Sequence, residues 1–411
     1  MAVSLVAFLS TVLIFEVVVR LLISPSQYSY GTLFGLELPP VELVPPTTPP
    51  PEVDRSAQYH ELVIEGRAIT VGDLWGFSRE DSLLGYTPKE NTISLNGWWQ
   101  SNNVGARARY DMSKAKSQGQ KRMLVFGDSF ALGSRVRQEE AWPTVLDSES
   151  EGLEVVNLGV DGYSTGQSFL RYRAIRDRLD HDLVLLMFVP DSDLWRDINT
   201  RRDLGGGWGL YWVMPRFILE QGELKLIKSP FEAGASTYAK EAVTLNKELL
   251  AHLREYDRFY FRSKYEEPWF IGKSILYKLL AKGYYEYRRN RLTNSLLKPG
   301  SEALQVSRKI FEVMNEEVKR DRHKFVLVIL PTHRGLQLLQ SDSTYHNNWY
   351  KMVSSTCALE LICIDLSQDL QKLPAGQLDR GYDGTHYGPK ANQLIAELIR
   401  KRLELEGVLP R

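Results

Sequence analysis

Two short constellations in this 411-residue chain carry residue types that do chemistry. Gly127-Asp128-Ser129-Phe130 follows the apolar run Met123–Phe126, and Asp383-Gly384-Thr385-His386 precedes the last helical stretch. A serine hydroxyl becomes a nucleophile when an adjacent base takes its proton, and histidine is the side chain whose ordinary pKa suits that task near neutrality. Of the seven histidines only His386 has a carboxylate three residues before it. On a tight turn Asp383 can accept from the imidazole Nδ1–H, fixing the tautomer that leaves Nε2 free as a base. Each piece alone has a plain alternative, because Ser129 could cap a helix and Asp383 could cap a surface turn. Taken together they predict a nucleophile, a base and an orienting acid.

Positioning such groups requires a rigid frame. Apolar runs recur at Arg122–Phe126, Leu153–Leu158, Asp182–Val189, Lys324–Leu330 and Leu361–Asp365. Between them lie helical spacings, such as Phe169, Tyr172, Ile175, Leu179 and Leu304, Ile310, Phe311, Met314, Val318. This alternation predicts βαβ units, a parallel sheet and right-handed crossovers. Polar or glycine-rich clusters follow each strand: Gly127-Asp128-Ser129, Asn157 to Gly162, Pro190 to Asp193, Pro331-Thr332-His333 and Asp383 to His386. In open α/β sheets that carboxyl edge is where ligands bind. A closing helix starts at Pro389 and ends at Gly407, with Leu394, Ile395, Leu398, Ile399 and Leu403 on its apolar face.

With these residues in view, the chain resembles the SGNH or GDSL-like hydrolases of the membrane-anchored bacterial type. The resemblance rests on Gly127-Asp128-Ser129, on Asn157-Leu158-Gly159-Val160-Asp161-Gly162-Tyr163-Ser164, and on Asp383-x-x-His386. It implies a flavodoxin-like three-layer α/β/α sandwich around a five-stranded parallel sheet, order 2-1-3-4-5. It also implies Ser129 as nucleophile, His386 as base and Asp383 as its orienter, with the Ser129 and Gly162 amides in an oxyanion hole. No cofactor or metal is implied. The third block departs from the pattern. Asp191-Ser192-Asp193 puts Ser192 where an asparagine donor is expected, and losing one oxyanion donor typically costs about 2.7–4 kcal/mol. Ser192 is carried as the third oxyanion residue, and Tyr163 and Trp195 as substrate-facing side chains. The implied activity is ester hydrolysis outside the cytoplasm, with acetyl removal from an envelope glycan as one case. Acyl transfer to a polysaccharide and non-catalytic carbohydrate binding are the alternatives.

Lys+Arg and Asp+Glu are equal at 51 each, so overall charge gives no sign of nucleic acid. Cys357 and Cys363 show no metal-ligand spacing and are too few for a disulfide framework, and two buried thiols are expected. Residues 1–24 are expected to form a transmembrane anchor or signal, since Ala2 to Phe15 carry no charge. Glu16 and Arg20 are placed to pair one turn apart, and the membrane is the partner this helix implies. Residues 25–56 read as a proline-rich linker, 57–118 as a small β-rich preface, and 119–411 as the hydrolase domain with an insertion at about 199–300. Within that insertion, Phe217–Ile227 is expected to form a hairpin turning at Gln221-Gly222.

Overall fold

The computed structural model describes residues 2–26, 29–41, 62–64, 67–69, 77–94, 97–200, 213–230, 242–269 and 271–409. They divide into two compact units, residues 52–235 with 296–411, and residues 1–51 with 236–295.

The larger unit is built on β1 (Lys121–Phe126), β2 (Leu153–Asn157), β3 (Leu183–Phe188), β4 (Lys324–Ile329) and β5 (Ile362–Asp365). All pairings are parallel and the spatial order is β2-β1-β3-β4-β5, as expected from the sequence. Register places Met123 opposite Val155 and Leu183, so the middle strands have neighbours on both sides. Leu124, Val125, Phe126, Val184, Leu185 and Phe188 are wholly buried. These unbroken apolar runs are what a parallel sheet covered on both faces requires. Each such side chain contributes about 1.5–3 kcal/mol relative to exposure.

The helices of this unit are α1 (Ser129–Leu132), α2 (Trp142–Glu149), α3 (Thr165–Ile175), α4 (Pro190–Asp197), α5 (Glu302–Arg320), α6 (His333–Ser341), α7 (Ser343–Cys357) and α8 (Pro389–Leu405), with a short helix Ser367–Gln371 after β5. Right-handed crossovers send the β1–β2 connection and the later connections to opposite faces. Accordingly α2 packs on α8 and β2, while α5 packs on α3, α4 and β4. Trp142 is wholly buried, and its indole Nε1 donates to the Phe130 carbonyl at 3.0 Å, tying α2 to the turn after β1. The hairpin expected at Phe217–Ile227 forms between Arg216–Glu220 and Glu223–Ile227, turning on Gln221 and Gly222.

Cys357 and Cys363 form a disulfide from the end of α7 into β5, not the two free thiols expected. Spacing alone does not show this. The α7–β5 turn brings their Cα atoms to 5.3 Å, inside disulfide range.

The smaller unit contains helices Ala2–Leu21, Ala242–Tyr256, Arg262–Tyr265 and Ile275–Thr293, and a hairpin of Ser29–Leu33 with Leu36–Val41. Thus both strands of this hairpin fall within residues 25–56, expected to be a proline-rich linker, and residues 42–56 lie outside the described residues. The N-terminal segment is helical as expected, but among the described residues no helix is long and apolar enough to cross a membrane. Its uncharged run, Ala2 to Phe15, gives roughly 21 Å of helix against roughly 30 Å of hydrocarbon. Glu16 ends that run and accepts from the Ile275 and Leu276 amides at 2.7 and 3.0 Å, and also from the Ser274 hydroxyl. Arg20 lies 3.9 Å from Glu16 and donates to the Lys273 carbonyl at 2.8 Å.

Candidate active site

Asp128 caps α1, its Oδ1 accepting from the Phe130 amide at 2.9 Å. That cap turns the chain sharply at the carboxyl end of β1 and sets Ser129 on the first helical position. The Ser129 Oγ lies 2.7 Å from His386 Nε2, and His386 Nδ1 lies 2.5 Å from Asp383 Oδ2. The Asp-x-x-His spacing works through backbone. Asp383 Oδ1 accepts from the amides of Thr385 and His386 at 2.9 and 3.0 Å, so the turn brings carboxylate and imidazole together. Phe130 stacks on the imidazole at 4.5 Å between centroids, and the next residue, Tyr387, anchors the turn by donating to the Pro331 carbonyl at 2.6 Å.

Burial pushes the Asp383 carboxyl up, but the His386 hydrogen bond and charge and the two amides outweigh it. They hold it well below the usual carboxylate range. An ionised Asp383 accepts from Nδ1–H, so Nε2 is the acceptor for the serine proton. Arg135 adds a further tie, with Nε 3.3 Å from Asp383 Oδ2 and Nη1 3.0 Å from Asp161 Oδ2. It links the loops after β2 and β5.

The loop after β2 is held equally firmly. Asn157 donates to the Leu132 carbonyl at 3.1 Å and accepts from the Gly159 amide at 3.1 Å. A Cβ at Gly159 would stand 2.6 Å from the Leu132 nitrogen, so only glycine lets this loop approach α1. Gly162 has φ +76°, the left-handed region that side chains resist. The Tyr86 hydroxyl donates to the Asp161 carbonyl at 2.5 Å. Tyr163, expected to face substrate, is wholly buried and donates its hydroxyl to the Tyr86 carbonyl. Its ring serves the core.

The third block is arranged differently from the expectation. The Ser192 hydroxyl donates to Asp128 Oδ2 at 2.7 Å and accepts from Arg196 Nη1 at 2.7 Å. Its one proton is committed to a carboxylate, which removes it from the expected oxyanion role. Both flanking acids are engaged elsewhere. Asp191 turns to Thr332 Oγ1 at 3.0 Å and to Tyr345, and burial raises its pKa. Asp193 accepts from the Val189 amide at 2.8 Å, and burial, with the Asp128 charge, pushes its pKa well up. Trp195 is half-buried beneath the Arg196 guanidinium, 5.3 Å from its ring centroid. Among the described residues no group of three histidine, cysteine or carboxylate side chains could hold a metal ion.

Sequence reasoning singled out neither Arg135 nor Arg196. The sequence signals were slight: Arg196 stands one helical turn after Ser192, and Arg135 six residues after the serine.

No family model matches the chain. An arylesterase of Vibrio mimicus is 32% identical over 84 residues, which are 20% of this chain and 42% of that protein. The matched stretch therefore spans less than half of that relative. Among solved structures, a lipase/acylhydrolase from Enterococcus faecalis is 14% identical, covering 71% of this chain and 97% of that one, with a TM-score of 0.35. A member of the lipolytic protein G-D-S-L family from Veillonella parvula is 11% identical, covering 68% and 97%, with a TM-score of 0.33. Likeness at this level carries no argument about chemistry, which rests on the side chains above.

Proposed function

We propose that this chain is a serine ester hydrolase. The observation that carries the reading is the Ser129–His386–Asp383 array, with contacts of 2.7 and 2.5 Å at one edge of the sheet. In this reading Ser129 Oγ attacks the ester carbonyl as His386 Nε2 takes its proton. The tetrahedral oxyanion is held by the Ser129 and Gly162 amides. Collapse expels the alkoxide, which takes the proton from His386 and leaves an acyl-serine. Water, deprotonated by the same imidazole, clears the acyl group as a carboxylic acid. Asp383 stays ionised and stabilises the imidazolium.

The substrate proposed within this class is an extracytoplasmic ester, with O-acetyl groups on an envelope glycan as the specific case. Trp98 and Tyr382, edge to face at 5.5 Å beside the Asp383 turn, support a sugar-facing rim. Action outside the cytoplasm is supported by the apolar N-terminal helix and by the Cys357–Cys363 disulfide, since disulfides persist in oxidising compartments.

The test is fluorophosphonate labelling with turnover on p-nitrophenyl esters and acetylated sugars. Wild type should label and turn over, and Ser129→Ala and His386→Ala should each abolish both. Acetyl transfer to an added sugar in place of water would move the reading to an acyltransferase. A wild type that binds glycan but neither labels nor hydrolyses any ester would make it a binding domain.

A further inference from the structure

Arg196 lies one turn after Ser192 on α4, and one nitrogen, Nη1, reaches three different strand-end segments. It stands 2.9 Å from Asp128 Oδ2, 2.7 Å from Ser192 Oγ and 3.3 Å from the Tyr163 carbonyl. Asp128 immediately precedes the nucleophile, and Tyr163 immediately follows Gly162. The guanidinium therefore joins the two turns whose amides the hydrolase reading assigns to the oxyanion. The Arg196 side chain is 12% exposed and that of Asp128 0%, so the pair is shielded from water, where charge-assisted hydrogen bonds hold geometry most firmly. Ser192 offers no third donor, because its proton goes to Asp128. A hole reduced to two amides depends on their spacing, since preorganised donors stabilise an oxyanion only at the right distance.

We propose that Arg196 is the positioning residue that compensates for the missing asparagine: it clamps the Asp128–Ser129 and Gly162–Tyr163 turns at the separation the oxyanion needs. This rests on the serine-hydrolase reading. Three features fit it. A planar guanidinium reaches partners that a serine hydroxyl cannot span. Asp128 is the one acid of this cluster with an arginine within 3 Å of its carboxylate. The guanidinium carbon also lies over the Trp195 ring, 5.3 Å from its centroid, a cation–π contact that adds to its hold.

The experiment uses the full chain and p-nitrophenyl acetate, with fluorophosphonate titration to count active sites and a thermal melt for folding. The variants are Arg196→Met, Arg196→Lys, and Arg196→Met combined with Asp128→Asn. The combined variant removes the Asp128 charge that Arg196→Met alone would leave without its arginine, and asparagine still caps α1. Per active site, Arg196→Met and the combined variant should lose about 100-fold in kcat with KM within about threefold, the mark of an interaction that matters in the transition state. Arg196→Lys should recover only part, because all three contacts are made by Nη1 and the lysine ammonium ends one bond short of that position. A combined variant that melts like wild type and keeps wild-type kcat overturns the proposal, since Arg196 would then serve only to neutralise Asp128. Ser129→Ala, run alongside, separates the two failures. If it labels like wild type, or if wild type is inert to every ester, the hydrolase reading falls and the clamp falls with it.

Discussion

Asp383 keeps its charge although buried because its partners outnumber the cost. His386 and the amides of Thr385 and His386 all donate to it. Replacing it with asparagine keeps the shape but offers an N–H toward Nδ1, which selects the wrong tautomer. In the serine-hydrolase reading, Asp383→Asn should therefore lose on the order of 10⁴ in kcat, by analogy with the same change in known serine triads. Stability carries a second signature. A carboxyl whose folded-state pKa lies below its unfolded value of about 3.9 stabilises fully above that value, and the gain is lost as pH falls toward the folded one. Wild type should thus lose more stability than Asp383→Asn between about pH 5 and pH 2, followed by urea unfolding. A variant with an acid limb as steep as wild type would place the depressed titration elsewhere. The proposed triad was legible because the serine follows a strand end and the aspartate and histidine sit three residues apart on one turn. The work of Arg135 and Arg196 was not, since each joins loops that only the folded sheet brings together.

The elements themselves were readable where one period governs a whole segment. The five strands are continuous apolar runs, and the hairpin at Gln221-Gly222 carries its turn signal in sequence. Contacts between elements were less so. Nothing in the spacing of Cys357 and Cys363 told a bridge from two thiols, and nothing in Tyr163 told a core ring from a substrate wall. The close approach of the β2 loop to α1 is of this second kind. A Cβ at Gly159 would meet the Leu132 nitrogen at 2.6 Å and the Ala131 carbonyl carbon at 3.0 Å, both backbone atoms in the helix that begins at Ser129. Neither can yield as a flexible side chain would, so Gly159→Ala must part the loop from α1 by several tenths of an ångström. The Ser129 and Gly162 amides ride on those two parts. Catalysis, which depends on their spacing, should fall further than stability, by about 100-fold in kcat on the scale of a lost oxyanion donor. The check is kcat per titrated site beside a melting curve. An enzyme of full kcat and lowered Tm would mean that the loop yields without moving the amides.

At the scale of the whole chain, the smaller unit joins residues 1–51 to residues 236–295, two stretches far apart in sequence that no local pattern could pair. Within it, the helix Ala2–Leu21 leaves an apolar stripe uncovered: Leu13 is 65% exposed, Ile14 64%, Val17 55%, Val18 51% and Leu21 82%. Exposed apolar surface of this extent on one helix face marks an interaction site. The partner proposed for this stripe is a lipid bilayer, which it can enter without the helix having to cross. The side chain of Glu16 does not oppose entry, because its carboxylate is already satisfied by the amides of Ile275 and Leu276. Leu13 and Val17 are one turn apart and exposed, so aspartate at both should leave the fold intact while charging the middle of the stripe. An aspartate at the centre of a membrane-spanning helix costs about 2.5–3.5 kcal/mol, so two there would lower partitioning by on the order of 10⁴-fold or more, and the shallower interfacial position sets the loss below that. Full-length protein mixed with phosphatidylglycerol-containing vesicles should therefore float in a density gradient, and Leu13→Asp with Val17→Asp should stay at the bottom while melting like wild type. Equal flotation of both proteins would move the tether off this stripe. A wild type that stays at the bottom would remove the membrane from the proposal and leave the disulfide and the Ser129 site to be explained in solution.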